Sequence, residues 1–177
     1  GIRDVERSRG LGDVYKRQPS NWVFKKSQGS TATFMVNNLK VLIYQYDILN
    51  LGNVDIIVST ENQQVSGNGK LAKAILQKAG EKYKEEHANL YSPQKRNWGD
   101  VLQTKAGQMN CKVVLHAIIE KFPNVDPSDN RLDMLFETTQ NVLIAANKKR
   151  RGKLFKELQY LSVALPLLGA GKYFFYY

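Results

Sequence analysis

The sequence predicts an α/β protein, a three-layer α/β/α sandwich built on a mixed, largely parallel sheet. Three observations carry that prediction. Val54 to Gly80, VDIIVSTENQQVSGNGKLAKAILQKAG, reads as a buried strand, a polar glycine-containing loop and an amphipathic helix. Two further apolar runs, Cys111–Ile119 (CKVVLHAII) and Ser162–Leu168 (SVALPLL), have the length of strands covered on both faces. Between them Leu132, Leu135, Phe136, Thr139, Val142, Leu143 and Ala146 fall at helical spacing. Strands alternating with helices argue for helices packed on both faces of a parallel sheet.

The totals set bounds on function. A chain of 177 residues, 42% hydrophobic and 24% charged, is long enough for one domain with a core. No apolar run is long enough to span a bilayer, and no N-terminal stretch reads as a secretory signal. The single Cys111 excludes an internal disulfide and a cysteine-based zinc site. With only His87 and His116 there is little material for a histidine metal site, so no metal and no cofactor are expected. An intracellular location, nuclear or cytoplasmic, is the expectation. A formal net charge of +10 favours anionic partners: a nucleotide, a nucleic acid or an ADP-ribose polymer.

Taken in order, residues 1–18 (GIRDVERSRGLGDVYKRQ) show neither period and resemble a translated adaptor joined to a gene; a disordered basic arm is the other reading. They contribute five Lys/Arg and three Asp/Glu, so the rest of the chain still carries +8 of the +10. The domain is therefore placed at 19–177. Pro19–Ser30 reads as a polar lead-in with Trp22 and Phe24 as anchors. Thr31–Val36 is a strand, Asn37-Asn38 a turn, and Leu39–Tyr46 an alternating second strand ending at Asp47. In the central stretch Val54, Ile56, Ile57 and Val58 mark the strand, and Leu71, Ala74, Ile75 and Ala79 the helix. That helix pauses at Gly80 and resumes through Tyr83 and His87. Asp100–Thr104 is a short strand. Asp126-Pro127-Ser128-Asp129 opens the next helix, with Asp126 as N-cap and Pro127 at the first helical position. It runs to about Lys149, where Lys148, Lys149, Arg150 and Arg151 suit the negative helix end.

A strand feeding a helix through Asn62, Ser66, Gly67, Asn68 and Gly69 aims backbone N–H groups and the positive helix end at one spot, which suits a phosphate. The loop matches neither G-x-G-x-x-G nor G-x-x-x-x-G-K-[ST]. In parallel sheets ligands lie beyond the carboxyl ends of the strands. Asp47, the 59–70 loop and the 169–173 loop are the polar features at such ends.

Together these features resemble the macro domain, the ADP-ribose-binding module. Its Gly-Asp-Ile corresponds to Tyr46-Asp47-Ile48, and its V-N-A-A-N strand end to Val58-Ser59-Thr60-Glu61-Asn62. Its glycine-rich loop corresponds to Ser66–Lys70, and its V-A-x-A-I helix to Leu71-Ala72-Lys73-Ala74-Ile75. Its H-A-V-like strand corresponds to Leu115-His116-Ala117-Ile118, and its second loop to Leu165-Pro166-Leu167-Leu168-Gly169-Ala170-Gly171. The wording LAKAILQKAG is most similar to the tandem macro modules of large multidomain mono-ADP-ribosyltransferases. The resemblance implies that Asp47 accepts a hydrogen bond from the adenine amino group, that the Ile48 backbone supports the ring, and that Asn62 contacts the distal ribose. It implies that Asn68, Gly69, Lys70 and Leu71 line the diphosphate and distal ribose through backbone N–H groups. Gly169, Ala170, Gly171 and Lys172 close the other side, with Tyr173 against the distal ribose.

Several positions depart from the pattern. Ser59 replaces the first Asn, Glu61 introduces a carboxylate that would repel a diphosphate unless it points away, and Asn68-Gly69-Lys70 replaces three glycines. The helix and last strand that follow the second loop in the family are missing, which implies a C-terminally incomplete module. Some family members hydrolyse ADP-ribosyl esters with an Asp ten positions after the motif's last Asn; here that position is Ala72. The expectation is thus a non-catalytic reader of free or protein-linked ADP-ribose, with mono-ADP-ribosylated proteins as partners. An ADP-ribosyl hydrolase is the first alternative. A basic module binding nucleic acid or poly-ADP-ribose through Lys148–Arg151 is the second. His116 and Cys111 are read as core residues.

Overall fold

The computed structural model describes residues 22–28, 31–37, 39–119, 131–148 and 162–168. The chain divides into two compact units, Gly1–Tyr46 and Asp47–Tyr177.

The first unit is an antiparallel meander of β1 (Trp22–Gln28), β2 (Thr31–Val36) and β3 (Leu39–Tyr44). Val36 pairs with Leu39, and Asn37, at the expected turn, takes a positive φ of 53°. A short polar side chain tolerates that conformation better than a branched one. β1 corrects the reading of 19–30 as a lead-in. Its pairing with β2 shifts register between Phe24 and Lys26, so the chain bulges where the alternation breaks.

The second unit is the α/β sandwich. It contains β4 (Ile56–Glu61), α1 (Lys70–Lys78), α2 (Glu81–Ala88), β5 (Val101–Lys105), β6 (Val113–Ile118), α3 (Arg131–Lys148) and β7 (Val163–Ala164). The strand order is β5-β6-β4-β7, with β4 parallel to β6 and to β7, and β5 antiparallel to β6. The sheet is therefore mixed and mostly parallel. β4 and β6 lie inside it and are buried along nearly their whole length.

Strand parity sorts side chains into two cores. Ile57, Val114 and Ala164 pack with Ile75 and Ala79 of the α1 segment and Tyr83 of α2. Ile56, Val58, Val113, Leu115 and Ala117 pack on the opposite face against Val142 and Ala146 of α3. Helices thus cover both faces. Gly80, at φ +80°, separates α1 from α2 as its position in the sequence implied.

Two strands are shorter than their apolar runs. In Ser162–Leu168 only Val163 and Ala164 pair with β4, and Pro166 follows with no N–H to donate. β6 begins at Val113 rather than Cys111, because the N–H groups of Lys112 and Val113 both turn to the Asp55 carbonyl. The start of β4 is fastened to the start of β7: Asp55 accepts from the Ser162 N–H at 3.2 Å and its own N–H donates to Ser162 Oγ at 3.0 Å. The expected α3 start at 126–129 and its basic end at Lys149–Arg151 lie outside the described residues, as does the 1–18 leader. Among the described residues no helix is long and apolar enough to cross a membrane.

Candidate functional site

The loop between β4 and α1 is held from three sides. Asn62 folds back on it, its carbonyl accepting from the Val65 N–H at 2.9 Å and its Oδ1 from the Ser66 N–H at 2.9 Å. The connection after α2 lies alongside, with the N–H groups of Arg96 and Ser92 donating to the carbonyls of Gln63 and Gln64. Below, Gly67 presses on α1 and α2: a Cβ there would stand 2.7 Å from Leu76 Cδ1 and 3.2 Å from His87 Cε1. Val65 is fully buried at φ 55°, a conformation a β-branched residue adopts only when its surroundings impose it.

This loop delivers the chain to the N-terminus of α1. Gly69 is the N-cap, and no side chain caps its helix. The first N–H groups of a helix have no partner within it, so they face outward together with the positive end of the dipole. Asn68, Gly69 and Lys70 are exposed there, while Leu71 is half-buried and packs on the core below. Asn68 Nδ2 donates to Ser66 Oγ at 3.0 Å. Asn62, Asn68, Gly69, Lys70 and Leu71 are thus gathered at one corner, at the carboxyl end of a central strand.

β7 approaches the same end of the sheet. It runs parallel to β4 with Ala164 opposite Ile57, so both strands point to the same end of the sheet. The chain after Ala164 leads to Gly169, Ala170, Gly171, Lys172 and Tyr173, which lie outside the described residues.

Asp47 caps a 3-10 turn, Ile48–Asn50: Oδ1 accepts from the Leu49 N–H at 3.0 Å and Oδ2 from Asn50 Nδ2 at 2.9 Å. Ile48 packs against the core beside Leu49 and Leu51. Lys78, in the last turn of α1, donates to the Leu49 carbonyl at 2.6 Å and to Asn50 Oδ1 at 2.9 Å. The Asp47 turn is therefore tied to the C-terminal end of α1, whereas the 62–69 loop precedes its N-terminal end. The Asp47 carboxylate remains exposed, and each oxygen keeps a lone pair.

Glu61 does point away from the loop surface. It is 3% exposed and shares the sheet face of Ser59 and Ile57. Its Oε2 accepts from the Gly67 N–H at 3.2 Å, and its Oε1 lies 2.9 Å from His87 Nε2 and 3.6 Å from His116 Nδ1. Burial favours the neutral acid, but His116 and His87 outweigh it and hold the carboxyl below its ordinary range. An ionised carboxylate only accepts, so His87 Nε2 carries the proton between them. His116 Nε2 meets Thr104 Oγ1 at 2.9 Å, and the Tyr83 ring stands over both imidazoles, 6.0 Å from His87 and 6.3 Å from His116. Burial pushes the Tyr83 hydroxyl well above its usual value. Sequence reasoning missed this cluster. The usable signal was parity: in a parallel β4/β6 pair, Glu61 and His116 fall on one face, and a helix residue four after Tyr83 faces them.

The family model described as Macro domain matches residues 58–176, which spans the loop and the N-terminus of α1. The chain belongs to the macro domain family. Among relatives of this macro domain, an uncharacterized protein of Pyrobaculum aerophilum is 29% identical over 147 residues, 78% of this chain and 68% of its own length. Human protein mono-ADP-ribosyltransferase PARP14 is 24% identical over 135 residues, 75% of this chain but 7% of PARP14. Among solved structures, a point mutant of the Oceanobacillus iheyensis macrodomain aligns at TM-score 0.65 and 19% identity, covering 84% of this chain and 72% of that one. The same macrodomain solved with ADP aligns at 0.60 and 19% identity, covering 70% and 65%. These likenesses carry the fold.

Proposed function

We propose that this macro domain binds ADP-ribose, free or attached to protein, and that the β4–α1 loop holds its pyrophosphate. The observation that supports this most is the uncapped α1 N-terminus at Gly69, placed at the carboxyl end of a central parallel strand. Hydrogen bonds to a charged group contribute about 1.5–3 kcal/mol each, so a few amides suffice to hold a diphosphate. The burial of Glu61 removes the one carboxylate of the loop segment that would oppose an anion there. The solved complex of the Oceanobacillus iheyensis macrodomain with ADP lends the reading further support.

Asp47 is the adenine acceptor in this reading. The Asp47→Ala variant is expected to lose roughly tenfold or more in ADP-ribose affinity, the worth of one hydrogen bond to a charged group. It is expected to leave the binding of ribose 5-phosphate, which lacks the purine, unchanged. A binding role is favoured over hydrolysis because Ala72, where some hydrolases of the family carry their Asp, is 2% exposed and has no titratable group. Isothermal calorimetry of the chain with ADP-ribose tests the proposal. One-to-one binding, weakened in Asp47→Ala, is expected; no heat at millimolar ligand overturns it.

A further inference from the structure

We propose that Glu61, His87 and His116 form a buried site for a divalent cation of the zinc class, inside the sandwich and separate from the proposed ADP-ribose loop. The ligand atoms are Glu61 Oε1, His87 Nε2 and His116 Nδ1, which all lie within 4.8 Å of one another. All three residues are buried. Bonds from zinc to imidazole nitrogen and carboxylate oxygen are about 2.0–2.2 Å, which makes the edge of a tetrahedral site about 3.3 Å. The separations of 2.9 Å (Glu61 to His87) and 3.6 Å (Glu61 to His116) fall on either side of that edge. The two histidine nitrogens lie within 4.8 Å of each other, so they close by at most about 1.5 Å to reach that edge.

An independent observation points the same way. His116 Nδ1 is fully buried, and Glu61 Oε1, which it faces, stands 3.6 Å away, too long for a good hydrogen bond. Buried polar atoms are rarely left so, because the lost hydration is not replaced. A cation between Nδ1 and Oε1 supplies the missing partner. The surroundings already orient the donors. Thr104 Oγ1, 2.9 Å from His116 Nε2, can accept the proton of that nitrogen, which leaves the lone pair on Nδ1. Gly67 N–H holds Glu61 Oε2, so Oε1 alone faces the histidines. For His87 to bind through Nε2 its proton moves to Nδ1, and the ring stays neutral. Two imidazoles and one carboxylate suit zinc and its transition-series neighbours rather than calcium or magnesium, which prefer all-oxygen sites.

The site links three elements distant in sequence: the end of β4, α2 and β6. It also fixes the carboxylate that receives Gly67, so cation binding fastens the underside of the 62–69 loop.

The test uses the whole chain, stripped with chelator and dialysed. Zinc titration by calorimetry, with metal content measured after gel filtration, is expected to give one equivalent per chain and a raised thermal midpoint. His87→Gln and Glu61→Gln are expected to lose at least tenfold in zinc affinity, and Thr104→Val about 10–100-fold. Cys111→Ser is expected to bind as the parent does. Less than stoichiometric zinc in the parent chain, or full affinity in both ligand variants, overturns the site. Should those variants fail to fold, the parent's cobalt spectrum decides. Tetrahedral d–d bands without thiolate charge transfer are expected, and their absence contradicts the proposal. None of these readouts requires ADP-ribose, so the cation site and the ligand loop stand or fall separately.

Discussion

Glu61 is a carboxylate in a loop segment read as anion-binding, and its neighbours explain how the fold accommodates it. Truncating it leaves the Gly67 N–H and the His87 Nε2–H without their buried acceptor. Glu61→Ala is therefore expected to lower stability by about 1–3 kcal/mol in urea unfolding with chelator present; an unchanged midpoint would show that the carboxylate holds nothing. Cys111 gives a pH prediction. Burial raises its thiol above the ordinary 9.0, so the folded state keeps the proton longer than the unfolded one does. Its contribution to stability is present below 9.0 and is lost as pH rises through the higher folded value. The thiolate is the reactive form, so iodoacetamide is expected to label Cys111 more slowly in the folded chain than in urea at neutral pH. Equal rates would contradict this. At this scale the sequence was legible where a residue's role is local. Asn62 and Asp47 each bond to the turn that follows, as short polar side chains do, a role that the reading of them as ligand contacts passed over. The Glu61–His87–His116 cluster was not legible, because its members come from three elements that only the finished sheet brings together.

Among the elements, the turn after β5 offers a sharp test. Gly107 has φ +60°, and a Cβ there would stand 2.1 Å from the Ala79 carbonyl oxygen, beside the Gln108 N–H that caps it. Gly107→Ala is expected to cost about 2–4 kcal/mol, through backbone strain and the displaced end of α1. Gly52→Ala, with open space around the new methyl, is expected to stay within about 0.5 kcal/mol. Thermal or urea unfolding of the pair decides, and equal stabilities would remove the claim that this turn is packed against α1. The core strands and helices were legible because their patterns are strong: Ile56–Val58 is apolar without a break, and Val113–Ala117 is interrupted by His116 alone. β1 was hidden because a bulge between Phe24 and Lys26 breaks its alternation. β7 was overdrawn because the apolar run continues past the point where Pro166 limits pairing.

At the scale of the whole molecule, the α/β unit places a polar loop and an uncapped helix N-terminus at the end of its central strand, and buries the carboxylate that would oppose an anion. That arrangement follows from strand parity and from the parallel pairing of β4 with β6 and β7. It was foreseeable in outline, since a strand, a glycine-containing loop and a helix in that order admit few other geometries. The central claim is that the β4–α1 loop amides embrace a pyrophosphate. Backbone amide NMR during an ADP-ribose titration tests it most directly. The account predicts saturable shifts concentrated at Ser66–Leu71; an ADP-ribose-saturated spectrum in which those amides do not move would contradict it.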